Sequence, residues 1–285
     1  MKIFDLELAS PCNARCDFCP QKFQGVKRGR PFMDEEILDR LTEDIGAIAR
    51  TERTFAVLCG MGENLLRKPL VLRALDGLQR ASDGRINTTL VTNGSPLTPE
   101  LVEHESFRRL DAIQVSFAGH DKDTYEALYR LKHDRVIENV ITMNRLLPGR
   151  IYIRAVDLQR LRPHRETFAG FWSRQGIPVT FSELHSRGGH LDDPEAYPGR
   201  TRAFHGCEIF ELITFVSSDG QVLSCCHDVT SANVIGDLRE SGLREIFERK
   251  RALRASGFEG FGICARCTDF SLSGLTRGRP AAGGG

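Results

Sequence analysis

Between residues 3 and 184 the chain alternates six short apolar runs with stretches whose apolar residues recur at the helical period. Ile3–Leu8 places Phe4, Leu6 and Leu8 on one face, and Thr54–Leu58, Ile86–Val91, Ile113–Phe117, Ile151–Val156 and Pro178–Leu184 follow as further strands. Helices are expected from an Asp34 N-cap through Ile37, Leu38, Leu41, Ile45 and Ile48, then over Leu70–Leu78, after Pro99, over Val136–Leu147 and over Arg165–Gln175. Strands that alternate with helices require right-handed crossovers, and hence a parallel sheet. The fold class is therefore α/β, a parallel sheet that is open or curled into a partial barrel of six βα units. In such sheets ligands bind beyond the C-terminal strand ends, which here carry a cysteine loop, Glu63, Asn93, Ser116 and Arg154.

A chain of 285 residues accommodates that barrel and one small companion. Thirty-nine Lys and Arg against thirty-eight Asp and Glu leave a net charge of +1, so no global field attracts nucleic acid or an anionic membrane. No apolar run reaches the roughly 18 residues of a membrane span, and the start lacks a signal-peptide core. A cytoplasmic protein is expected. Residues 1–203 form the barrel in this reading, 204–270 a short module and 271–285 a disordered tail, with a linker rich in Asp, Pro, Gly and Arg near 191–206. Within the module Leu212–Val216 and Gln221–Leu223 form a hairpin turned by Asp219-Gly220, and Leu243–Leu253 is helical.

Nine cysteines stand at 12, 16, 19, 59, 207, 225, 226, 264 and 267. In a reducing compartment such clusters bind metal or act catalytically more often than they form disulfides. Cys12, Cys16 and Cys19 have the spacing that puts three sulfurs on one face of an iron–sulfur cube, leaving one iron open. The competing reading is a zinc knuckle, which normally needs four protein ligands.

The pattern C-x3-C-x-aromatic-C, matched by Cys12, Cys16, Phe18 and Cys19, resembles the signature of the radical S-adenosylmethionine (SAM) enzymes. The resemblance implies that SAM chelates the open iron and is cleaved to a 5′-deoxyadenosyl radical, which abstracts a hydrogen atom from substrate. Gly62-Glu63-Asn64 looks like the family's Gly-Glu-Pro motif, whose glutamate meets the SAM amino group, although Asn64 replaces the proline. Asn93, Ser116 and Arg154 lie where the family contacts SAM ribose or carboxylate.

Cys207, Cys225-Cys226 and Cys264-x-x-Cys267 resemble the shortened SPASM module called Twitch, which carries an auxiliary 4Fe–4S cluster. On that pattern Cys207, Cys225, Cys264 and Cys267 are the ligands. Structural zinc on the same thiolates is the alternative, and spacing alone does not choose between Cys225 and Cys226.

Within the family the compact barrel followed by a Twitch module is most similar to 2-deoxy-scyllo-inosamine dehydrogenase and neomycin epimerase. That implies a small polyol or amino-sugar substrate attacked at a carbon bearing a hydroxyl or an amine. A dehydrogenase would pass the second electron to the auxiliary cluster, and an epimerase would return a hydrogen atom from a thiol, for which Cys226 is the candidate. Cys59 is expected to pack within its strand. His120, Asp121, His185, Arg187, His190, Asp192, Asp193, His227 and Asp228 offer polar groups to such a substrate. The resemblance also implies a flavodoxin or ferredoxin electron donor. A peptide substrate is the other class, against which no N-terminal leader-recognition segment precedes Ile3.

Overall fold

The structure, a computed structural model, describes residues 1–21, 29–191, 207–256, 261–264 and 267. Six strands, β1 (Lys2–Leu6), β2 (Thr54–Leu58), β3 (Asn87–Thr92), β4 (Ala112–Ser116), β5 (Ile151–Asp157) and β6 (Val179–Glu183), pair in sequence order and in parallel. The intervening helices are α1 (Glu35–Ala49), α2 (Lys68–Ser82), α3 (Glu105–Arg108), α4 (Lys122–Tyr129), α5 (His133–Leu146) and α6 (Arg165–Arg174). The expected partial barrel is present.

Strand alternation decides what each face does. Phe4, Leu6, Ala56, Leu58, Ile113, Val115, Ile151 and Ile153 are fully buried and join Leu38, Leu41, Ile45, Leu75 and Val140 of the helices in one core. Each such Leu or Ile contributes about 2 kcal/mol of hydrophobic stabilisation. α1 begins where expected, with the Asp34 carboxylate accepting from the Glu36 N–H at 3.0 Å. The opposite face of the sheet mixes polar and apolar residues. Asp5 stands in register with Val57, Val57 with Thr89, Gln114 with Tyr152, and Ser116 with Arg154.

Four departures from the sequence reading matter. After Pro99 there is no long helix: a 3₁₀ turn over Pro99–Glu103 gives way to the single turn α3, because His104 between them leaves helical geometry (ψ 126°). Helix α4 was not expected; Asp121 caps it by accepting from the Thr124 N–H at 2.8 Å. A further strand, β9 (Val234–Asp237), follows the hairpin. Finally, the C-terminal strands are part of the same sheet. Beyond α7 (Glu208–Leu212), β7 (Ile213–Val216) pairs in parallel with β1, and β8 (Gln221–Leu223) and β9 complete the order β6-β5-β4-β3-β2-β1-β7-β8-β9. Helix α8 (Leu243–Ala255) covers this edge.

The Asp-Gly turn forms as expected, Gly220 adopting φ +79° and donating to Ser217 O at 2.9 Å. The Asp219 carboxylate reaches further and accepts from the backbone N–H groups of Gly29 and Arg30, just beyond the cysteine loop. No helix among the described residues is long and apolar enough to cross a membrane. The expected linker near 191–206, with Asp192 and Asp193, and the expected tail at 271–285 lie outside the described residues, apart from Leu191.

Candidate active site

The cysteine loop leaves the end of β1 and rests on α4. The backbone N–H groups of Arg15 and Asp17 donate to the carbonyls of Tyr129 and Leu128 at 3.0 and 2.9 Å, and Cys19 N donates to Cys16 O at 3.1 Å. These bonds flank Cys16 on both sides and turn the chain so that Cys12, Cys16 and Cys19 gather, all half-buried. Phe18 packs edge-on against Tyr129, with ring centroids 5.5 Å apart.

Burial pushes the Cys12 thiol up to about 11, and Cys16 rises further because its burial is joined by the charges of Cys19 and Cys12. Burial raises Cys19 as well. Three crowded thiols that resist ionisation need a cation among them to become thiolates, which is the chemistry of an iron-binding set. The donor set therefore fits an iron–sulfur cluster held by three cysteines.

Beside it the strand ends of β2 and β3 build a closed polar network. Glu63 is buried and accepts from Leu65 N at 3.2 Å, Thr92 Oγ1 at 3.0 Å and Asn93 N at 2.7 Å. Its burial outweighs those donors and raises the carboxyl to about 7. A cationic amino group nearby would lower it again. The Asn93 side chain donates to Asn13 Oδ1 at 2.9 Å and lies 3.9 Å from Cys12 Sγ, so it links the glutamate turn to the cysteine loop. Gly94 has φ +80°, with Val115, Val136 and Val140 within about 3.3 Å of where a Cβ would stand, and Asn139 holds the turn by donating to Gly94 O and Ser95 O. Ser116 and Arg154 face each other across the β4–β5 pair, on the face opposite the helices and further along the same rim.

Asn64, which read as a departure from a motif, has a defined job. Its Oδ1 accepts from the N–H groups of Leu8 and Ala9 at 2.9 and 3.0 Å, and its Nδ2 donates to Leu6 O at 3.2 Å. A proline offers neither group. The substitution thus ties the exit of β1 to the glutamate turn.

The second thiol set lies across the β7–β8–β9 edge. Cys264 and Cys267 are joined by a Cys267 N to Cys264 O bond of 3.3 Å, and Cys264 interacts electrostatically with Cys207 and Cys267. Cys225 interacts with Cys207 also. Its neighbour Cys226 has other company: Asp5 of β1, Cys59 after β2, His227 and Arg187. A hydrogen bond from the Cys225 thiol, helped by His227 and Arg187, draws Cys226 well below the ordinary thiol value.

Asp5 was missed in the sequence, where a polar residue in an alternating strand reads as solvent-facing. It is 8% exposed, and burial with the charge of Cys226 raises it to about 8, while a hydrogen bond to Cys59 opposes them. Cys59 therefore faces this interior group rather than the outer core. Glu7, two residues on, accepts from Met61 N at 2.8 Å and Ser218 N at 3.4 Å, and so fastens three strand ends together. Arg187 interacts with both Cys19 and Cys226, between the two thiol sets. The His185 ring lies 4.5 Å from that of His227, tilted by 53°.

Other expected ligand groups have partners within the chain or are buried. The Asp228 carboxylate accepts from Ala232 N and Asn233 N at 2.9 and 2.6 Å. His120 pairs with Asp121 at 2.7 Å and stacks on His164 at 3.6 Å. His190 is buried.

A three-thiol loop at the mouth of a parallel partial barrel, with a second thiol set on the same sheet, defines a class of iron–sulfur enzymes. A family model for the radical SAM superfamily matches residues 7–156, and one for the SPASM iron–sulfur cluster-binding domain matches 207–268. The chain belongs to the radical SAM superfamily, and its cofactors are SAM and 4Fe–4S clusters, one of them auxiliary. Among solved structures it is similar to BtrN in complex with AdoMet and 2-DOIA (TM-score 0.65, 20% identity, 95% of this chain and 94% of that one). It is similar also to anSMEcpe with bound AdoMet (0.67, 14%, 94% and 89%) and to Streptococcus suis SuiB bound to precursor peptide SuiA (0.67, 14%, 93% and 70%). Against curated protein sequences the chain finds no match.

Proposed function

We propose that this enzyme oxidises a hydroxyl- or amine-bearing carbon of a small aminocyclitol- or amino-sugar-type molecule. Cys12, Cys16 and Cys19 hold the SAM-binding cluster in this reading, and Cys207, Cys225, Cys264 and Cys267 the auxiliary one. Phe18, Glu63, Asn93, Ser116 and Arg154 surround SAM. The observation that carries the proposal is the polar group inside the barrel, Asp5 with Cys59, Cys226 and His227. Such groups exchange hydrogen bonds with hydroxyl and ammonium substituents in a confined interior. A small substrate is in keeping with the similarity to BtrN, solved with AdoMet and 2-DOIA, while anSMEcpe and SuiB, similar over the same fold, keep a peptide substrate as the alternative. The reductant is a flavodoxin or ferredoxin, and the reaction is cytoplasmic.

When bound, SAM and its cluster supply a radical that removes one hydrogen atom from the substrate carbon. The chain's own residues orient the reactants. Glu63, fixed by three donors, presents a carboxylate to a cationic amino group, and Asn93 holds that carboxylate in register with Cys12. A second reading, epimerisation, rests on the partners of Cys226: beyond Cys225 and His227 it lies with Asp5 and Cys59 rather than with Cys207, and in its protonated form it would return a hydrogen atom to the opposite face of the carbon.

A reduced anaerobic assay with SAM and a panel of aminocyclitols in deuterated water decides. A product lighter by two hydrogens, formed equally by Cys226→Ala, establishes oxidation. Deuterium at one carbon without loss of mass, abolished in Cys226→Ala, establishes epimerisation. The absence of 5′-deoxyadenosine with every small molecule, alongside its release with peptides, would refute the substrate class.

A further inference from the structure

Helices α1 and α8 flank a groove of about 760 Å³ on the helix side of the sheet, beside the starts of β1 and β7. One face of α8 lines it: Arg244, Phe247, Lys250, Arg251 and Arg254 fall at helical spacing, while Ile246 is buried in the core. Ile48 of α1 and Phe210 of α7 add apolar wall. Among the described residues, five cations and three carboxylates line the groove. Two of those carboxylates are engaged within the chain: Asp44 accepts from Leu243 N at 3.2 Å, and Glu211 pairs with Arg254 at 3.1 Å. Lys2 and Arg251 have no carboxylate partner among the described residues, and Lys2 instead lies over the Phe247 ring at 4.9 Å.

The floor of this groove backs onto the second thiol set. Cys207 is the N-cap of α7, and Phe210 stands on the turn that follows it. The Phe210 ring lies 6.2 Å from that of Phe261, whose carbonyl accepts from Cys264 N at 2.9 Å. Over the Phe210 ring, at 5.0 Å, sits the Lys250 ammonium, buried and donating to Ile213 O at 2.5 Å. One helical turn and one aromatic contact therefore connect the groove to Cys207 and Cys264.

An apolar floor inside a cationic rim is the anatomy of a protein interface steered by charge. From Arg244 to Arg254 that rim runs about 15 Å along α8, more than a single phosphate or carboxylate occupies. The oxidation proposed above leaves one electron on the auxiliary cluster after each turnover. We propose that the groove docks an acidic one-electron carrier protein, which takes that electron from the auxiliary cluster. This rests on the reading of Cys207, Cys225, Cys264 and Cys267 as the cluster ligands. The exchange is balanced: the reduced cluster loses one electron, the carrier gains one, and no covalent bond forms or breaks. The carrier's carboxylates meet Lys2, Arg244 and Arg251, and its apolar surface rests on Phe247 and Phe210.

An acidic flavodoxin serves as the probe. Reconstituted enzyme is reduced with dithionite, freed of excess reductant and mixed with the oxidised flavodoxin. Rapid freeze-quenching then follows the electron paramagnetic resonance signal that SAM does not alter, which belongs to the auxiliary cluster. At low salt the double variant Lys2→Glu, Arg251→Glu is expected to transfer electrons about tenfold more slowly than wild type, with a weaker salt dependence. The double variant Lys2→Arg, Arg251→Lys keeps the wild-type rate. Iron content and the 5′-deoxyadenosine formed with dithionite as reductant stay unchanged in both, since a small reductant needs no docking. Equal transfer rates in wild type and the reversed-charge variant overturn the inference. So does a loss of 5′-deoxyadenosine formation in step with transfer, which marks a structural effect. No substrate enters the measurement, so failure of the proposed oxidation shows itself separately. A wild-type protein that holds only about four irons overturns instead the assignment of the auxiliary ligands.

Discussion

Gly62 meets the backbone of Ala9 with no room for a side chain: a Cβ at residue 62 would overlap the Ala9 carbonyl oxygen and crowd Ser10 and Pro11. The next residue, Glu63, donates its N–H to Pro11 O at 2.9 Å. The segment that delivers Cys12 and the turn that carries Glu63 are thus built against each other. Gly62→Ala is expected to cost about 3 kcal/mol through forced displacement of one of them. It should also lower iron retention, and a variant with normal iron content and melting temperature would show that the loop is seated otherwise.

Asn64→Ala leaves the Leu8 and Ala9 N–H groups buried without an acceptor, at a cost of about 2 kcal/mol. Asn64→Pro, which restores the commoner family motif, is expected to be no better, since proline supplies no acceptor. Urea unfolding of the two variants checks this, and full stability in Asn64→Pro would contradict it.

Asp5 gives the fold a pH dependence of definite sign. Its carboxyl titrates at about 8 in the folded chain against 3.8 when unfolded, so between those values folding takes up a proton. Stability is fully present at the acid end and declines as pH rises through that interval. Asp5→Asn should flatten the decline measured between about pH 5 and about pH 8. An equally steep decline in the variant would assign it to Glu63, raised in the same direction to about 7.

The two adjacent cysteines should separate on iron counting. Cys225→Ala is expected to lose the auxiliary cluster, about four irons, and Cys226→Ala to keep it, because Cys225 interacts with Cys207 and Cys226 with the barrel interior. The reverse result would make Cys226 the ligand and remove it as a hydrogen donor.

The order of strands, the cysteine loop and the rim positions of Glu63 and Asn93 were legible because each rests on local periodicity or spacing. What stayed hidden depends on partners distant in sequence. Ile3 pairs with Ile213, a contact no local pattern announces, and it turns a separate-looking module into three more strands of one sheet. Asp5 and Glu7 occupy the polar half of an alternating strand, and only the curl of the sheet makes that half an interior. Helix α4 is only eight residues long, and its single apolar repeat, Tyr125 with Leu128 and Tyr129 behind the Asp121 cap, is too short to stand out, yet it carries the cysteine loop. Asn64 looked like a loss until its three bonds to β1 were seen.

The position of β1 in mid-sheet also bears on how the chain is made. On the ribosome its pairing with β2 becomes available early, but its other edge stays open until residues 213–216 have been synthesised. An uncovered strand edge is a template for pairing with another molecule, and long-range pairings of this kind form late. A nascent or truncated chain that stops before Ile213 is therefore expected to aggregate, not to persist as a smaller working barrel. Trimming the C-terminal strands to isolate a minimal catalytic core would remove the cover from the strand that leads to the cysteine loop.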